Sequence, residues 1–133
     1  MLKTWYFFLI LALAKTITVL IHLFVPAFYP QVVYLSYNFV LIITTFFLSY
    51  HIYHISKSIL SAVSAAILLL VLSDVLVNIV VTLIAVKIYL PFEFSAALGQ
   101  LHIAFKNGLM FLPMIVLLSF IACRVADKRM NKR

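Results

Sequence analysis

Two charged side chains stand where an apolar chain has least reason to put them. Lys15 follows Trp5 by ten residues inside an otherwise apolar run, and Asp74 sits midway along the run between Lys57 and Leu90. In helices rising about 1.5 Å per residue, both positions fall near the centre of a ~30 Å hydrocarbon layer. An ionised side chain at that depth costs at least ~2.5–3.5 kcal/mol, so each must face a bundle interior and seek a partner. The two helices run in the same direction, which brings the charges to the same depth and makes Asp74 the expected partner of Lys15. Such a pair either fixes helix register as a buried ion pair or relays a proton or substrate. The remaining alternative is that the two never meet.

Other polar residues fall on the same faces. Lys15, Thr18 and His22 recur at steps of three and four, Asp74, Asn78 and Thr82 at steps of four, and Tyr34 and Asn38 at four. Those spacings stack side chains on one side of a helix. Converging stripes would build a polar pocket from His22, Tyr34, Asn38 and Asn78 in the half of the bundle away from the termini, with Lys15 and Asp74 at its floor. The plainer reading is interhelical hydrogen bonding, worth about 0.6 kcal/mol per bond.

The four histidines raise cofactor chemistry, with His22 and His102 toward one side and His51 and His54 toward the other. That distribution is compatible with two bis-histidine haems. Against it, His51 and His54 fall at a wet segment end, and the spans lack the glycines that relieve crowding beside a macrocycle, so no haem is expected. A zinc site on His51-x-x-His54 lacks further ligands, since the acids are Asp74, Glu93 and Asp127 and the only cysteine is Cys123. A lone cysteine also rules out an intrachain disulfide. Gly99 and Gly108 are the only glycines, which excludes phosphate-cradling loops and dinucleotide fingerprints. Ser36, Ser49, Ser61, Ser64, Ser73 and Ser119 lie in apolar runs, where hydroxyls normally bond back to their own helix. No catalytic constellation emerges, and the chain is not expected to be an enzyme. Ser58, Ala62 and Ala66, flanked by Ser61 and Ala65, form a small-residue track suited to helix packing, within the chain or against another protein.

The elements that must carry these residues follow from composition. Of 133 residues, 67% are hydrophobic and 10% charged, with a mean hydropathy of +1.24. Soluble domains are roughly half apolar and a quarter charged, so lipid is the expected solvent. At ~20 apolar residues per crossing, the length admits about four spans and no extramembrane domain. The pattern places them at 5–28, 32–50, 59–90 and 108–123. Pro26 and Pro30 make the first corner and 51–58 a polar connection, while the third span exceeds one bilayer thickness and must tilt or protrude. Residues 91–107 read as an interfacial amphipathic or re-entrant segment, with Phe94, Leu98, Leu101 and Phe105 on one face. Residues 124–133 read as a solvated, fraying tail. Lys3 and Ala12-Leu13-Ala14 resemble a signal peptide, but the apolar run resumes beyond Lys15, so cleavage is not expected.

Orientation follows from the bases. Lys3, Lys57, Arg124, Lys128, Arg129, Lys132 and Arg133 fall on one side of four spans, and only Lys87 and Lys106 on the other. The positive-inside rule reads this as both termini in the cytoplasm. Trp5, Tyr6, Tyr50 and Tyr53 on the first side and Tyr29, Tyr34 and Tyr89 on the second complete two aromatic belts. The net charge of +7 is therefore topology rather than a nucleic-acid surface. Within it, Arg124, Lys128, Arg129, Lys132 and Arg133 would anchor the last span at anionic headgroups. The expectation is an all-α, polytopic four-transmembrane-helix bundle, N-in and C-in, forming a single multi-pass domain of a bacterial inner membrane. Its expected function is that of an accessory protein docking to a larger membrane partner or to itself. The alternatives are a small oligomeric transporter or flippase built on Lys15 and Asp74, and an immunity-type membrane protein.

Overall fold

A computed structural model describes residues 2–24, 30–89 and 94–132, and every regular element among them is helical. The elements are α1 (Leu2–Phe24), α2 (Pro30–Ser56), α3 (Ile59–Leu69), a π-helical segment (Leu70–Leu76), α4 (Val77–Tyr89) and α5 (Phe94–Met130). Among the described residues four helical stretches are long and apolar enough to cross a membrane: Thr4–His22, Gln31–Ser56, Ile59–Ile84 and His102–Met130.

Local chemistry accounts for the helix ends. Pro30 opens α2, where its missing N–H would have had no helical partner. Lys57 closes α2 in the left-handed conformation, at φ 55°, with its N–H donating to the Tyr53 carbonyl at 2.8 Å. Ser58 then caps α3, its hydroxyl accepting from the Ser61 N–H at 3.3 Å. The polar connection expected over 51–58 thus shrinks to Lys57 and Ser58, and His51 and His54 belong to the last turns of α2.

Two further expectations give way to longer helices. From Phe94 onward the expected interfacial or re-entrant segment is continuous with the last span, since α5 passes 107–108 and Pro113 unbroken. Ala96, Ala97, Leu98, Gln100, Leu101 and Ala104 are strong helix formers, and a single glycine costs only about 1 kcal/mol against them. Pro113 frees the Leu109 carbonyl but does not end the helix, as is common in apolar surroundings. The expected fraying tail is helical as far as Met130. The corners at 25–29 and 90–93 lie outside the described residues.

The passes alternate in direction. Phe7 lies beside His51 at one end of the α1–α2 pair and His22 beside Tyr34 at the other, with ring centroids 6.4 and 5.8 Å apart. The third pass changes neighbours along its length. Its first part, α3, packs on α2 and α5, where Ala62 and Ala66 are fully buried. Beyond the π-helical segment, α4 packs on α1 and α5 and has no extensive contact with α2. The bundle is therefore tight around Leu11, Leu41, Leu48, Leu69, Leu70 and Ile115, and looser where α4 leaves α2. The outside is apolar, with Trp5, Leu35, Leu60 and Met110 at least 70% exposed, a surface suited to hydrocarbon.

Candidate polar site within the bundle

The looser half contains the charged residues. Lys15 Nζ lies 2.9 Å from Asp74 Oδ1, and both side chains are buried. The Tyr37 hydroxyl donates to the same oxygen, and the Lys15 ammonium lies 4.4 Å from the Tyr37 ring centroid. One carboxylate oxygen thus receives two partners, from α1 and α2, while the phenol ring also faces the cation. Asp74 lies in the π-helical segment, a geometry that often accompanies functional sites within helices. Its neighbour Ser73 donates to the Phe8 carbonyl at 3.1 Å, pinning the segment to α1. On the other side, Gly108 brings α5 so close that a Cβ there would stand 2.6 Å from Val75 Cγ2.

Beyond Lys15 the divergence of α2 and α4 leaves a cavity of about 170 Å³. Lys15, Thr18 and His22 contribute from α1, Tyr34 from α2, Asn78 and Thr82 from α4, and Asn107 from α5, with Val19 and Ile103 completing the wall. Thr82 Oγ1 donates to Asn78 Oδ1 at 3.3 Å, which leaves the Asn78 amide N–H groups available to the cavity. Lys15 at the floor is buried, whereas His22, Tyr34 and Asn107 are exposed. Among the described residues no carboxylate lines the cavity; Asp74, paired with Lys15, is not part of its wall. The pair is therefore a dipole with its cationic end toward the cavity, and the other lining groups add hydrogen-bond donors.

Of the residues that the sequence marks, the structure brings together Lys15 with Asp74, and His22, Tyr34 and Asn78 around one cavity. Asn38 does not join them; it is half-buried beside the stripe that faces inward. Tyr37 takes the inward position, heading the helical series Tyr37, Leu41, Thr44 and Leu48, all buried. That series was the available signal for it. Asn107 also lines the cavity without having been marked, since it lies within the segment read as interfacial.

The remaining histidines lie apart. His102 is exposed on α5, His51 is beside Phe7, and His54 stacks on Tyr50 with centroids 6.4 Å apart. Among the described residues no three His, Cys, Asp or Glu side chains gather as a metal site. Of the basic tail, Arg129 and Lys132 line a second hollow near Lys57, Arg124 and Lys128 are exposed outside it, and Arg133 lies outside the described residues. No family model, curated protein or solved structure matches the chain.

Proposed function

We propose that this chain is a multi-pass protein of a bacterial inner membrane, with both termini in the cytoplasm, that takes a small polar or anionic group into its cavity as a transporter or flippase. The observation that carries this reading is the 170 Å³ of polar space ending on the buried Lys15. A register-fixing ion pair needs no such space, and helices free to pack would close it. The volume holds several waters or one small solute group. Of the small-residue track that would serve a docking partner, Ala62 and Ala66 are fully buried where α3 meets α2 and α5, which favours this reading over a docking role, while Ser61 remains exposed. The proposal invokes no cofactor and no bond-making step.

Thiol labelling in reconstituted vesicles tests it. In a Cys123→Ser background, an Asn78→Cys thiol should react with an anionic methanethiosulfonate about tenfold faster than with a cationic one, each rate normalised to a free thiol. Adding Lys15→Met should erase that preference. A thiol that neither reagent reaches, or a preference that survives Lys15→Met, would overturn the reading.

A further inference from the structure

We infer that the end of the bundle carrying the termini holds a second binding site, built for the phosphate of an anionic lipid headgroup. The inference rests on a different part of the molecule from the transport reading. Here the last turns of α2 and α5 enclose a hollow of about 520 Å³ lined by Tyr50, His54, Lys57, Arg129, Met130 and Lys132. That volume is within the usual range of ligand sites. Three permanent cations from two separate stretches of chain converge on it, and among the described residues no carboxylate lines it. Arg129 offers a planar fork of donors for phosphate oxygens, the two lysines offer point charges, and Tyr50 and His54 supply further polar edges.

Bases near helix C-termini also complement the helix dipole, so their presence alone would not specify a ligand. Lys57 carries the distinction. It occupies the left-handed position that ends α2, at φ 55°, and is the only non-glycine with positive φ among the described residues. Glycine or asparagine serves such a position at lower conformational cost. The backbone geometry alone does not account for a lysine here, and its side chain lies on the wall of the hollow. Two of the helices long and apolar enough to cross a membrane end at Ser56 and Met130, the latter seven residues beyond the apolar run that closes at Cys123, so the hollow sits past the hydrocarbon where headgroups lie. Arg124 and Lys128 carry the same charge on the same helix but lie outside the hollow. They provide an internal control.

The test uses the full chain in detergent, with native mass spectrometry counting retained phosphatidylglycerol against phosphatidylcholine. Phosphatidylglycerol should be retained selectively, and Lys57→Gln, Arg129→Gln and Lys132→Gln should each weaken it by roughly fivefold. Arg124→Gln with Lys128→Gln removes two headgroup contacts outside the hollow and should together weaken retention less than any one of the three single changes does. Lys57→Gly separates binding from folding: it should raise the thermal unfolding temperature of lipid-free protein, by relieving the left-handed residue, while weakening retention as much as Lys57→Gln does. Equal losses from the control pair, equal retention of phosphatidylcholine, or no loss in Lys57→Gly would overturn the inference. Displacement of the lipid by millimolar inorganic phosphate would reassign the site to a soluble anion and overturn its lipid character.

Discussion

At the scale of single residues, the buried ammonium of Lys15 is held by two different interactions with two partners, and removing them separately has different consequences. Asp74→Asn leaves the ammonium buried without a counter-charge, which should cost about 3–5 kcal/mol. Tyr37→Phe keeps the ring beneath the cation and loses only a hydrogen bond to a charged acceptor, so about 1.5–3 kcal/mol is expected. Combining Lys15→Met with Asp74→Asn removes both charges and should recover most of the stability lost in Asp74→Asn. Thermal or denaturant unfolding in one detergent measures all three. A double variant no more stable than Asp74→Asn would show that the pair does not act as a unit. The separation of function from folding then lies in the cavity: the double variant should fold yet lose the anion preference of the Asn78→Cys thiol. This pair was legible in the sequence because depth in a helix is simple arithmetic and mid-span charge is expensive. For Tyr37 the series with Leu41, Thr44 and Leu48 signalled only an inward position; its bond was hidden, since a phenol inside an apolar run looks like any core aromatic until its hydroxyl is seen on Asp74.

At the scale of elements, the third pass decides where the cavity lies. Its length and lack of Pro or Gly over 59–90 read as one uninterrupted α-helix. The structure instead places the π-helical segment at 70–76, and the local pattern contains no breaker that could have signalled it. Its cause is tertiary, since Ser73 bonds to the Phe8 carbonyl, Asp74 meets Lys15 and Tyr37, and Val75 faces Gly108. The contact at Gly108 makes a prediction of definite sign. In an isolated helix Gly→Ala stabilises by about 1 kcal/mol. At Gly108 the new methyl would press on a β-branched side chain with one preferred rotamer, and overpacking costs typically ~1–3 kcal/mol. Gly108→Ala should therefore lower the unfolding temperature, and adding Val75→Ala should remove that penalty so that the remaining change reflects helix propensity and the lost valine methyls. Gly108→Ala alone raising the unfolding temperature would mean that α5 and the π-helical segment are not in this contact. The continuity of α5 was also hidden, because amphipathic patterning from Phe94 to Phe105 is equally satisfied by a surface helix and by the first turns of a longer one.

At the scale of the whole molecule, two distributions that arise from different physics point the same way. The polar cavity opens at the end away from the termini, and the basic hollow lies at the end that carries them. If seven of the ten bases face the cytoplasm, as their placement along the sequence implies, the basic hollow meets the anionic leaflet and the cavity opens to the other side. Single-cysteine accessibility in intact cells decides this. In the Cys123→Ser background, a Lys106→Cys thiol, exposed on α5 near the cavity mouth, should react with a membrane-impermeant maleimide added outside. A Lys128→Cys thiol, exposed near the other end of the same helix and outside the basic hollow, should react only after permeabilisation. The two positions share one continuous helix, so they must lie on opposite sides if α5 crosses the membrane. Reaction of both from outside would mean that α5 does not span, and the inverse pattern would place the termini outside. In that inverse case the basic hollow would face the leaflet poorer in anionic lipid, and the headgroup site would lose the location that its charge requires.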